Sequence, residues 1–203
     1  MKHSSTSNDA RPELKLALEA FVALLLRWNR AVNLIARADE AQVRERHIGD
    51  ALQLVPLIPP DTARAIDLGS GAGFPGLILA LATGIFFDLI EADARKAAFL
   101  REAARLTGAP VQVHACRIEE IALRPAPLVT ARALARLPDL LDLAAPKLES
   151  GGAALFPKGM NIHAELTDAA AKWHMILERI PSRTAPGSSI LRITDLHRVP
   201  PPA

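Results

Sequence analysis

Apolar residues recur at steps of three and four between Pro12 and Leu34, through Leu14, Leu18, Phe21, Leu25, Trp28 and Val32. That period puts them on one stripe of a long amphipathic helix. A second helical stretch is expected from about Asp39, a residue suited to an N-cap, to Ile58, where Pro59-Pro60 stops it. From Arg64 onward the pattern changes. Short apolar runs at 64–68, 86–91, 111–115, 127–131 and 152–156 alternate with helical patterns at 76–83, 93–107, 137–148 and 161–172. Two further strand patterns follow near 174–180 and 189–194. Strands separated by helices of this length imply crossover connections and a parallel sheet covered on both faces. The last two strands are close enough for a hairpin, which leaves one strand antiparallel. The expected architecture is α/β: a seven-stranded, mostly parallel sheet with one antiparallel strand, preceded by a helical cap. The chain divides into a disordered tail (1–11), the cap (12–60), the sheet domain (61–196) and a proline-rich tail (197–203). Pro200 to Pro202 lack the donor that a ladder needs.

The first strand runs into Asp67-Leu68-Gly69-Ser70-Gly71-Ala72-Gly73-Phe74-Pro75-Gly76. Strand, glycine-rich turn and helix in that order make a nucleotide-like cofactor site. Glycines let a ligand approach the main chain, and amides at a helix start favour an electron-rich partner. Gly71-x-Gly73-x-x-Gly76 fits the dinucleotide fingerprint, with Glu91 about 20 residues on as its ribose acid. Read from Asp67, the same residues fit the first motif of methyltransferases that use S-adenosylmethionine. The glycines alone leave both cofactors open.

Composition narrows the setting. The chain has 203 residues, half of them hydrophobic, which suffices for one domain with a substantial core. Only 4% are aromatic and none is tyrosine, so stacking surfaces for bases are few. The single cysteine, Cys116, forms no internal disulfide and is expected at the end of a buried strand; a cytoplasmic location fits. Residues 1–10 carry no signal-peptide core, and no run of about 18 apolar residues occurs. The 24 basic and 22 acidic side chains permit a nucleic-acid partner without requiring one. Arg27, Arg30, Arg37, Arg44 and Arg46 form either a solvated helix face or a phosphate-contacting surface.

Several chemistries lack their residues. Cys116 has no neighbouring proline of the kind that accompanies a cytosine-attacking cysteine, and no Asp/Asn-Pro-Pro-aromatic box is present. No Cys/His cluster has zinc spacing, and His163-x-Glu165 alone does not make a metal site. A Gly-x-Ser-x-Gly elbow is also absent. In an open parallel sheet, ligands bind beyond the carboxyl ends of the strands. Those ends carry Asp67 and Gly69, Glu91, Arg117-Ile118-Glu119, Arg132 and Lys158-Gly159. Ile118 and Glu119 suit an adenine, and Arg132 suits a carboxylate or phosphate at the rim.

Taken together, the motifs resemble the bacterial small-subunit rRNA guanine-N7 methyltransferases, the glucose-inhibited division protein B family. The resemblance rests on Trp28-Asn29, Asn33-Leu34, His47-Ile48-x-Asp50, the loop with its Gly73-Phe74-Pro75-Gly76 ending, Arg95-Lys96-x-x-Phe99-Leu100, Arg117-Ile118-Glu119, Arg132-Ala133 and Lys158-Gly159. It covers about Phe21 to Ile193. The Gly-Phe-Pro-Gly ending favours S-adenosylmethionine. The resemblance implies a Rossmann-like methyltransferase fold and, as substrate, the guanine at position 527 of 16S rRNA in the small ribosomal subunit. It also implies cofactor contacts from Asp67, Gly69, Gly71, Gly73, Phe74, Ile118, Glu119 and Arg132, with Glu91 on the ribose.

Arg95, Lys96, Arg136 and Lys158 are the RNA-binding candidates, and Arg132 and Lys158 are placed to orient the substrate. Ile35, Ala51 and Ala131 depart from the family pattern, the two alanines replacing serines. Guanine N7 has a lone pair and no proton to lose, so no general base is expected; no metal is expected either, and the chain is expected to be a monomer. Three other readings share parts of the pattern: a nicotinamide-dependent oxidoreductase, a small-molecule methyltransferase, and a non-catalytic cofactor-binding or ribosome-assembly module.

Overall fold

Helix α1 (Ala10–Asn29) stops where Asn29 turns its side chain onto the backbone. Its Oδ1 accepts from the amides of Leu34 and Ile35 at 2.9 and 3.0 Å, and its Nδ2 donates to Glu40. The helix therefore ends before the apolar stripe does. The computed structural model describes residues 10–160 and 162–200. Of the two expected tails, residues 1–9 and 201–203 lie outside that range.

The expected helix over 39–58 is broken into pieces. A 3-10 turn (Arg37–Gln42) leads into a π turn (Val43–Ile48), one short α-helix α2 (Gly49–Leu52) and a last 3-10 turn (Val55–Leu57). Asp39 is no cap; its Oδ1 accepts from Arg46 Nη1 at 2.6 Å. The wider π register keeps Val43 and Ile48 in the core, and Asp50 follows His47 by three positions, so both point the same way.

Next come β1 (Arg64–Leu68), α3 (Gly76–Thr83), β2 (Phe86–Ile90), α4 (Ala94–Thr107), β3 (Val111–His114), β4 (Ala126–Ala131) and α5 (Leu137–Ala144). The chain ends in β5 (Leu148–Lys158), α6 (His163–Ala170), β6 (Trp173–Pro181) and β7 (Ser189–Arg198). The sheet order is β3-β2-β1-β4-β5-β7-β6, with β7 antiparallel to both neighbours and the first five strands parallel. This is the seven-stranded arrangement expected from the sequence. Strand order reverses at β1, between β2 and β4, which is where an open sheet leaves a crevice at its carboxyl edge.

One core layer packs α1, α3 and α4 against the sheet through Phe21, Phe87 and Phe99; the other packs α5 and α6 through Leu137, Leu141 and Phe156. Phe21 meets Phe74 edge-on at 5.6 Å and Phe99 at 6.0 Å, so α1 braces the glycine loop from behind. Trp28 extends this wall against Phe99, and its Nε1 donates to Glu102 at 3.0 Å. Among the described residues, no helix is long and apolar enough to cross a membrane.

Candidate active site

At the reversal point the tips of β1, β2 and β4 surround a cavity of about 410 Å³. The loop between β1 and α3 forms its floor. Gly71 sits at φ +53°, a conformation that a side chain disfavours, and its amide donates to Glu91 Oε2 at 2.8 Å. Glu91 Oε1 accepts from the Asp93 amide at 2.8 Å, and the residue is 8% exposed. Asp93 in turn caps α4 by accepting from Arg95 and Lys96. One carboxylate thus fixes both the loop and the entry to the next helix, with its remaining lone pairs at the cavity wall. The Gly73 amide is also used internally, on Ser70 O at 2.7 Å.

Gly69, Gly71, Phe74, Glu91, Ile118, Glu119 and Arg132 all border this cavity. Asp67 and Gly73 do not. Gly73 packs beneath, where a Cβ would come within 3.0 Å of Leu77 and 3.3 Å of Leu100. Asp67 is fully buried under the loop: Oδ1 accepts from Thr130 Oγ1 at 2.6 Å, and Oδ2 has no partner among the described residues. Cys116, expected at the end of a buried strand, is half-buried and lines the cavity just past the end of β3, a strand that is itself only partly buried.

Burial pushes the Asp67 carboxyl up to about 6, with the Thr130 hydroxyl pulling the other way. An acid so raised holds its proton more tightly in the folded chain than in the unfolded one. Its stabilising contribution is complete below about pH 3.8 and is lost as pH rises through about 6. Relative to Asp67→Asn, the wild-type unfolding free energy should therefore fall by about 2–3 kcal/mol between these limits. Denaturant melts of both proteins across that range check it; a flat difference would contradict the assignment.

Arg132, just past β4, is the hinge of the site. Its guanidinium lies 4.9 Å above the Phe74 ring, donates to His47 Nδ1 at 2.9 Å, and has Asp50 Oδ2 3.6 Å away. His47 stacks on the same phenyl ring at 5.1 Å. Burial, reinforced by the adjacent Arg132 charge, holds the His47 pKa below its ordinary value. Arginine can only donate, so Nδ1 is the acceptor nitrogen, and a neutral ring carries its proton on Nε2. Asp39 lies 3.4 Å from Nε2 without hydrogen-bonding geometry. In the sequence, His47 and Asp50 stand within one motif, His47-Ile48-x-Asp50, that by itself assigns them no role. Their spacing on one helical face was the available signal.

The RNA-binding candidates are dispersed. Lys96 lines the cavity and Arg95 stands exposed beside it on α4. Arg136 pairs with Asp168 at 2.6 Å on the surface. Lys158 is folded inward, donating to Ala135 O at 2.7 Å and Glu165 at 2.9 Å. Of the arginine-rich segment, Arg27 pairs with Glu102 and Arg46 with Asp39, whereas Arg30, Arg37 and Arg44 are exposed. Among the described residues no group of three or more His, Cys, Asp or Glu could hold a metal.

Residues 15–186 match the family model described as rRNA small subunit methyltransferase G. The chain belongs to that family. It is 56% identical over 185 residues to a protein of Granulibacter bethesdensis named ribosomal RNA small subunit methyltransferase G, covering 91% of this chain and 86% of the relative. A protein of the same name from Gluconobacter oxydans is 53% identical over 182 residues, covering 90% and 94%. Among solved structures, an O-methyltransferase from Bacillus cereus in complex with SAH superposes with a TM-score of 0.59 at 12% identity, over 86% of this chain and 90% of that one. TYW2 from M. jannaschii in complex with AdoMet gives 0.59 at 16% identity, over 76% and 77%. These likenesses establish the Rossmann-like methyltransferase fold.

Proposed function

We propose that this chain transfers a methyl group from S-adenosylmethionine to N7 of a guanine in 16S rRNA, at position 527 in the family's rRNA numbering. The observation that carries the cofactor reading is the occupation of the glycine loop's amides. A dinucleotide pyrophosphate needs donors such as the Gly71 amide, yet that amide is spent on Glu91 and the Gly73 amide on Ser70. A ligand without phosphate, offering ribose hydroxyls to the free lone pairs of Glu91, suits the floor as built. Ile118 supplies an apolar contact and Glu119 a polar one for an adenine. Family membership and the printed names of the relatives support the rRNA substrate.

When bound, the cofactor supplies an electrophilic methyl on a sulfonium. The chain's own work is to position and to balance charge. The N7 lone pair attacks without releasing a proton, so no residue need act as base. Holding the base in line at about 3 Å supplies most of the acceleration. The purine gains positive charge, which favours an acidic wall over a basic one. Residues 12–60 act as the cap and 61–196 as the transfer domain. A monomer acts in the cytoplasm on assembled or assembling small subunits. Exposed Arg30, Arg37, Arg44 and Arg95 meet phosphate.

With so few aromatic side chains, selectivity rests on folded RNA shape. Incubation with labelled S-adenosylmethionine should therefore label unmethylated small subunits at least tenfold faster than a short hairpin of the same sequence. Equal rates would overturn the subunit preference, and no label in either RNA would overturn the function.

A further inference from the structure

Beyond Arg132 lies a second cavity of about 290 Å³, which shares Arg132 and Ala133 with the first. Asp50 and Gln53 line it from the broken helical segment, Lys158 from the end of β5, and Ala185 and Ser189 from the β6–β7 connection and the start of β7. Its volume is near the lower end of small-ligand sites, about 300 Å³, and suits one base rather than a nucleotide. Ala133 at the seam holds φ +53°, a strained conformation for a residue with a Cβ. Asp50 is fixed here by two donors to Oδ1, Gln53 Nε2 at 3.1 Å and the Thr184 hydroxyl. Gln53 is itself locked, accepting the Arg183 amide at 2.9 Å. Asp50 Oδ2 accepts no hydrogen bond among the described residues, although Arg132 Nη1 lies 3.6 Å from it, and the Asp50 side chain is 22% exposed.

We propose that this second cavity receives the target guanine and that Asp50 Oδ2 reads its Watson–Crick edge. The inference rests on the methyl-transfer reading above. A carboxylate only accepts. Guanine alone among the four RNA bases presents two adjacent donors on that edge, N1–H and the 2-amino group. Adenine and cytosine turn a lone pair to the same place, and uracil has a single donor between two carbonyls. N7 lies on the opposite edge of the purine. A base held by Asp50 carries its nucleophile on the side away from that carboxylate, and since Arg132 Nη1 lies only 3.6 Å from Oδ2, that side must face Ala133, where the cofactor cavity begins. The same carboxylate balances Arg132 across the seam, so that the guanidinium opposes less strongly the positive charge the ring acquires as N7 is methylated. Asp50 is thus both a specificity residue and an electrostatic one.

The test compares small subunits carrying guanine or inosine, which lacks the 2-amino group, at the target position. Wild-type protein should methylate the inosine subunit on the order of 10- to 100-fold more slowly, the range for one hydrogen bond to a charged group. Asp50→Asn should lose a similar factor on guanine yet show little further loss on inosine, with calorimetric affinity for S-adenosylmethionine unchanged. Retention of the wild-type guanine-to-inosine ratio by Asp50→Asn would overturn the proposal. Ala185→Trp, which fills the cavity from its surface connection, should abolish transfer while leaving cofactor affinity intact; undiminished transfer would likewise overturn it. A wild-type protein that binds cofactor but methylates neither subunit refutes the methyl-transfer reading itself, and the pocket assignment with it.

Discussion

Arg132→Ala should slow methyl transfer by about a thousandfold. The guanidinium ties the cofactor cavity to the second one through three contacts at once: the Phe74 face, His47 Nδ1 and the Asp50 carboxylate. Its removal leaves a carboxylate and an imidazole facing each other at the seam and frees the Phe74 ring that floors the cofactor cavity. The guanidinium is not fully buried, so the loss in folding stability should be about 2 kcal/mol, below the range for a fully buried pair. Arg132→Lys separates the two effects. An ammonium restores the charge beside Asp50 but cannot stack flat on Phe74 while bonding His47. It should recover most of the stability and little of the rate. Single-turnover rates at saturating cofactor, with denaturant melts, check this; a lysine variant of wild-type rate would remove the planar contacts from the account.

Gly76→Ala should be the most damaging single methyl in the molecule. At this first residue of α3 a Cβ would stand 2.6 Å from Asp67 Cβ and 2.7 Å from its Cγ and Oδ2. Those atoms belong to a buried strand residue pinned by Thr130 and flanked by β2 and β4, so they have nowhere to move. The helix must lift from the sheet, at a cost of about 3 kcal/mol or more. For a chain of this size that corresponds to a fall in Tm on the order of 10 °C. Gly159→Ala, where a Cβ meets nothing within 4 Å, should stay within about 0.5 kcal/mol of wild type. Thermal melts of both variants decide the point; equal melting temperatures would mean that the α3–β1 contact is looser than these distances imply.

Much of this architecture was legible in the chain because local periods carried it. The crossover strands alternate with helices whose ends are marked by Gly84 and Gly108, both in left-handed conformations that stop α3 and α4. Strand lengths were less legible. The apolar run 152–156 gave only the centre of β5, which spans Leu148–Lys158 because β4 and β7 supply partners along its length. A ladder's extent belongs to both strands, and one strand's hydrophobicity cannot report it. The helical segment after Arg37 misled for a related reason: Asp39 has the chemistry of a cap, but Arg46 engages it across the turn. Within the site, residues that face the cofactor cavity followed from their place at strand tips. The grouping of Arg132 with His47 did not, since 85 residues separate them and only the fold brings them to 2.9 Å. Asp67 was legible as a motif position, whereas its burial beneath the loop required the packing of Gly76 against it.

The proposed reaction carries a methyl group to a nitrogen with no proton to lose. It is tested most directly by incubating the full chain with isotopically labelled S-adenosylmethionine and unmethylated small subunits, then digesting the 16S rRNA for nucleoside mass spectrometry. One labelled methyl per subunit is expected, recovered as 7-methylguanosine from a single site. Label on an exocyclic amine, a ribose oxygen or a pyrimidine carbon would contradict it.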